Sequence, residues 1–161
     1  MLLYRITREK YLTNFTGRGS SYLNGARWNK PQLPVLYFAP TPSVALLEMA
    51  NYLPSPRLVP KDYRLGIYEL PKSTSIKTLT VADLPSDWAE FPHPISTQTI
   101  GSQWLLSKET LCLTVPSAAI TEGLENIIIV NPEHPEIENL QLINAVSSLY
   151  SKRAFQGIKD N

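Results

Sequence analysis

Fourteen prolines cut this chain into short apolar runs, and that punctuation decides what it can build. A proline removes a backbone donor, breaks helix interiors and is confined to the edges of sheets. Between them, short strands outnumber helices, and no strand–helix–strand rhythm recurs. The spacing therefore predicts an α+β domain rather than a doubly wound parallel sheet.

Residues 2–6 read as a first short strand, followed by a polar stretch over 13–29 that reads as a surface loop. Residues 35–39 read as a buried strand. Thr41 can cap the next helix, with Pro42 at its first position, where a missing N–H costs nothing; Pro54 and Pro56 end that helical region. Residues 64–70 alternate as a strand with Leu65 and Ile67 on its apolar face. The stretch 79–94 is irregular and proline-rich, with Trp88 and Phe91 as expected anchors. A second helix fits 97–107, where Ile100, Trp104 and Leu105 fall at helical spacing. Strands follow at 111–115, stopping at Pro116, and at 127–130, stopping at Asn131-Pro132. The segment 140–150 suits either a helix or a strand, and strand is preferred.

At 161 residues the chain is long enough for one sizeable core, so residues 1–161 are read as a single domain. Its net charge of +1, without a Lys/Arg block, lacks the electrostatic footprint of a nucleic-acid binder. A near-neutral surface gives little colloidal repulsion and so favours association, whether as a homodimer or with another protein. The lone Cys112 lies in an apolar run and reads as a small core residue. Nothing has metal-ligand spacing, so no metal site is expected. The amino terminus turns polar too soon for a signal peptide, no run approaches a membrane span, and a cytoplasmic protein is expected.

Chemistry concentrates in the first third of the chain. Glu48 is the one charge in Val44-Ala45-Leu46-Leu47-Glu48-Met49-Ala50, and an unpaired charge among apolar residues must reach solvent or a polar partner. Arg27, within Gly25-Ala26-Arg27-Trp28-Asn29, is either that partner or a planar, permanent cation for a phosphate group. Tyr37, among apolar neighbours, is either core or a ring that stacks on a flat ligand. Together these residues can grip an anion, stack on an aromatic ring and stabilise a developing cation, which makes an enzyme site the leading reading. Arg5 has the same chemistry as Arg27 and the plain alternative of an edge charge. Ser117 reads as a turn residue or helix cap. His93 and His134 lie in Pro-flanked loops without triad spacing; His134 reads as a turn lock, and Trp28 and Trp104 as packing.

Several short motifs occur together and in order: Tyr4-Arg5, Gly25-Ala26-Arg27-Trp28-Asn29, Leu36-Tyr37, Ala45-Leu46-Leu47-Glu48, Gly101 before Trp104-Leu105, Val115-Pro116-Ser117, and Asn126 through Asn131-Pro132-Glu133-His134-Pro135. With this set the chain resembles the RES-domain proteins, toxins of bacterial toxin–antitoxin pairs. One departure is Lys30-Pro31-Gln32-Leu33-Pro34, where many members have a glycine before the strand. The resemblance implies a split, twisted mixed sheet similar to ADP-ribosyltransferase toxins, with a cleft that takes NAD as a consumed substrate rather than a recycled cofactor. It maps the cleft onto Arg27, Tyr37, Glu48 and Ser117, with Ser117 orienting the ligand and Arg5 as a further binding residue. It further implies cleavage of the nicotinamide–ribosyl bond, transfer to water or inorganic phosphate, and a co-encoded Xre-like antitoxin covering the cleft. Two rivals stand: transfer of ADP-ribose to a protein, and a binding-only module in which Arg27 and Glu48 form a structural pair.

Overall fold

A computed structural model describes residues 1–53 and 55–151; Pro54 and the last ten residues of the expected domain span lie outside the described residues. In chain order the elements are β1 (Leu2–Arg8), α1 (Ser20–Asn24), β2 (Leu36–Phe38), α2 (Pro42–Ala50), β3 (Tyr63–Glu69), β4 (Ile76–Thr78), α3 (Ile95–Ser107), β5 (Cys112–Pro116), β6 (Asn126–Val130) and β7 (Gln141–Val146). Among the described residues the strands form two sheets, ordered β1-β3-β7 and β2-β6-β5-β4. All pairings are antiparallel except β4 with β5, which makes the second sheet mixed. A single bridge joins the sheets: the Tyr4 N–H donates to the Ala39 carbonyl at 2.9 Å, and the Ala39 N–H to the Tyr4 carbonyl at 2.8 Å. This is the expected α+β architecture with a split, mixed sheet.

Strand alternation sorts the core into two layers. On one side Tyr4, Ile6, Leu65, Tyr37, Leu113, Val115, Ile127 and Ile129 pack against Val44 and Ala45 of α2, Trp104 and Leu105 of α3, and Trp28. On the other side Leu3, Leu36, Phe38, Tyr68, Cys112, Ile128 and Val130 pack with Leu111 and Leu140. Because β6 is covered on both faces, Ile127 to Val130 are all buried and show no alternation. Burial pushes the Cys112 thiol up to about 12, which keeps it an inert core residue.

α2 starts where expected: the Thr41 hydroxyl accepts from the Val44 N–H at 3.2 Å, and Pro42 occupies the first turn. The segment after residue 140 is a strand as preferred, ending at Val146. The structure corrects four readings. The stretch 13–29 is not all loop, since it contains α1 and a tight turn. β3 buries Gly66 and Tyr68 more deeply than Leu65 and Ile67, because the opposite face is also covered. Phe91 is not a core anchor; it is 83 % exposed, its ring edge-on to that of His93, whereas Trp88 is buried. β4 was not anticipated, because all three of its residues are exposed and only the edge of β5 brings them into a strand.

Candidate active site

The apolar positions of α2 fix where its one charge goes. Val44, Ala45 and Met49 face the core, Leu47 faces out, and Glu48 falls between them, half-buried in the last turn. Ser117 follows the last residue of β5 and is fully buried. Its hydroxyl donates to Glu48 Oε1 at 2.6 Å and accepts from the Ala119 N–H at 3.2 Å. A bond this short to a carboxylate is charge-assisted, and it holds one carboxylate oxygen in place. The other, Oε2, has among the described residues only a long contact, 3.5 Å, from the Asn51 amide. Ser117 is thus both the expected turn residue and a fixed partner of Glu48, and neither histidine reaches its hydroxyl. It is not arranged as a nucleophile.

Arg27 sits at the tip of a tight turn closed by the Ala26 N–H donating to the Asn29 carbonyl at 2.9 Å. Gly25, at φ 74°, leads into that turn in a conformation few side chains allow. The turn is fastened to α3, where Gln98 Nε2 donates to the Ala26 carbonyl at 3.0 Å. Gly101 lets the helix come close: a Cβ there would stand 2.0 Å from the Trp28 carbonyl oxygen. Arg27 Nη1 donates to the carbonyls of Trp88, at 2.5 Å, and Glu90, at 2.9 Å. Its Nε and Nη2 make no hydrogen bond among the described residues.

Glu48 lies within electrostatic reach of Arg27, but no ion pair within 4.0 Å joins them among the described residues. Partial burial lowers the arginine's pKa, while Glu48, Tyr52 and Tyr37 act against that shift; the group stays a cation. The two charges are neighbours, each held by something else, rather than a closed structural pair.

Tyr37 ties the turn to β2. Its hydroxyl donates to Asn29 Oδ1 at 2.9 Å and accepts from the Trp28 N–H at 3.3 Å. Burial raises its pKa further above the ordinary tyrosine value, so the phenol stays neutral. Asn29 is itself fully buried, its amide donating to the carbonyls of Ser21, at 2.7 Å, and Lys30, at 3.1 Å. The hydroxyl of Tyr37 is therefore occupied in positioning Arg27, and only its ring carbons are left to meet a ligand.

A family model described as the RES domain matches residues 2–149. The chain belongs to the RES-domain family. It is 32 % identical over 155 residues to "Toxin Res" of Yersinia enterocolitica, covering 95 % of this chain and 99 % of that protein. It is 33 % identical to "Toxin Res" of Photorhabdus laumondii, covering 92 % of each. It is also 30 % identical to the "Prs ADP-ribosylating toxin" of a Sphingobium species, covering 87 % of this chain and 86 % of that one. In fold it matches a chain of the crystal structure of the M. tuberculosis MbcT–MbcA toxin–antitoxin complex. That match has a TM-score of 0.72 at 20 % identity and covers 91 % of this chain and 83 % of that one.

In this RES domain, Arg27, Tyr37, Glu48 and Ser117 come together on one side of the split sheet, and Arg5 does not join them. Alternation along β1 sends Tyr4 and Ile6 to the Tyr37 side and Arg5, with Leu3, to the other. There its guanidinium lies 6.0 Å from the centre of the Phe38 ring. Burial lowers its pKa, and its buried Nη1 has no hydrogen-bond partner among the described residues.

Two neighbours of the site were not anticipated. Asn29 is the clamp beneath Tyr37, and the signal available was its place closing the Gly25–Asn29 motif. His93 lies close enough to Arg27 for that charge to add to burial in lowering its pKa. Distance in sequence hid it. His134 locks its turn as expected, Nδ1 accepting from the Glu136 N–H at 3.2 Å.

Proposed function

We propose that this chain is the toxin of a toxin–antitoxin pair and that it consumes NAD by breaking the bond between nicotinamide and ribose. The observation that carries the reading is the Glu48 carboxylate, held at one oxygen by Ser117 and set near an arginine with unused donors. Breaking that bond leaves positive charge on the ribose, and the less engaged Oε2 of Glu48 is the group suited to stabilise it. Ser117 keeps the carboxylate aimed, and Arg27 takes the diphosphate of NAD or an incoming phosphate. The turn carrying Arg27 is held by Tyr37 and Asn29. Nicotinamide leaves with the bonding electron pair, and water or inorganic phosphate supplies the oxygen that bonds to the ribosyl carbon.

A second reading has a specific observation behind it: one relative is named as an ADP-ribosylating toxin. In that case the same Glu48 and Arg27 would serve a transfer to a protein side chain. The complex named for the MbcT–MbcA match supports a protein antitoxin as partner, and the family resemblance favours an Xre-like one.

The test is to incubate purified protein with NAD, with and without phosphate, and identify the products. Free nicotinamide with ADP-ribose, or with its phosphorylated counterpart when phosphate is added, is the expected result. NAD left intact would overturn the reading. Label retained on protein would select the second one.

A further inference from the structure

α2 carries Glu48 in its last turn, and the chain continues through Asn51 into Tyr52, whose N–H still donates to the Met49 carbonyl at 3.0 Å. Residues four apart in such a turn lie one above the other. Tyr52 therefore stands on the Glu48 side of the helix end. Its ring is 76 % exposed, an unusual position for a large aromatic side chain with no partner ring among the described residues. It lies within electrostatic reach of both Glu48 and Arg27. The arrangement is a solvated aromatic face beside the two charged groups of the site.

Tyr37 cannot fill the same role in the same way. Its hydroxyl is closed off between Asn29 and Trp28, and its ring, partly buried against the core, offers less open face than Tyr52. Tyr52 is the ring with a free face. Its place one turn beyond Glu48 also says which part of a dinucleotide it would meet. If Glu48 stabilises the ribose that loses its base, the flat group nearest to Glu48 is that base, not the adenine at the far end of the diphosphate.

We propose that Tyr52 is the outer wall of the nicotinamide subsite, stacking on the pyridinium ring of NAD while Glu48 lies beside the ribose. This rests on the NAD reading above. A positively charged ring over an electron-rich phenol face is favoured beyond simple contact, and a single stacked base is worth about a tenfold or larger change in affinity.

The experiment uses the full chain with Glu48→Gln, which slows turnover, and titrates it calorimetrically with NAD and with ADP-ribose. ADP-ribose has the diphosphate and adenosine but lacks the nicotinamide. Adding Tyr52→Ala should weaken NAD binding about tenfold and leave ADP-ribose binding within twofold, and Tyr52→Phe should bind both as the Tyr52 form does. Unchanged NAD affinity in Tyr52→Ala would overturn the proposal. So would an equal loss for both ligands, since it would mark a merely structural role. A Phe variant as weak as Ala would also overturn it, because it would assign the effect to the hydroxyl. Failure of the underlying reading looks different: with Tyr52 intact, the Glu48→Gln protein would bind neither ligand, and the Tyr52 assignment would fall with it.

Discussion

Among the described residues the two oxygens of Glu48 are unequally engaged, one bound by Ser117 at 2.6 Å and the other touched only at 3.5 Å, and this inequality gives the side chain a direction. Glu48→Gln keeps that shape and removes the charge. NAD consumption should fall about 100-fold or more, while the unfolding midpoint stays near the parent's. A folded Gln variant releasing nicotinamide at the parent rate would take Glu48 out of the chemistry. In the proposed reading Arg27 depends on its planar fork, because Nη1 is committed to two carbonyls and the remaining donors would meet the ligand. Lysine keeps the charge without the fork, so Arg27→Lys should bind ADP-ribose about tenfold more weakly; equal affinity would show a purely structural arginine. Tyr37→Phe removes a hydroxyl that serves two buried groups at once, Asn29 Oδ1 and the Trp28 N–H. Leaving these unpaired should cost about 1–3 kcal/mol, read as a lower urea midpoint at unchanged slope.

α3 shapes the site without contributing a charged side chain to it. Its approach to the Arg27 turn depends on Gly101, where a Cβ would meet the Trp28 carbonyl oxygen at 2.0 Å. Alanine would favour the helix by about 1 kcal/mol, but both parts in collision are backbone and must separate. The overlap should win, so Gly101→Ala should lose about 1–3 kcal/mol of stability in denaturant unfolding. A variant as stable as the parent would mean that the turn moves aside cheaply. Elements fixed by local chemistry were legible in the sequence: Thr41 and Pro42 announce the start of α2, and the lone charge of that helix marks Glu48. What depends on distant neighbours was not. Ile76-Lys77-Thr78 has no buried face and becomes a strand only along β5. Ser117 and Glu48 could each be named, but their contact spans 69 positions and comes from folding. The alternation of β1 is readable, yet which face meets Arg27 and Glu48 is not, so sequence alone groups Arg5 with residues that lie across the sheet from it. Apolar character alone suggests Phe91 as an anchor, and a loop of this kind can turn such a residue outward.

For the whole molecule, the consequence of the proposed activity is that the cell must restrain it. Making the chain alone should stop growth and lower cellular NAD, and making it with the product of its neighbouring gene should restore both. Normal growth with steady NAD, while a folded and soluble chain accumulates, would overturn the toxin reading. The near-neutral surface does not oppose such an association. Among the described residues no helix is long and apolar enough to cross a membrane. The hold on Arg27 has a consequence of another kind. The segment that wraps the guanidinium grips it through the main-chain oxygens of Trp88 and Glu90, and a carbonyl is the same whatever side chain its residue bears. Glu90 and Phe91 both point their side chains into solvent. The border of the site can therefore be rewritten residue by residue while the arginine stays where it is.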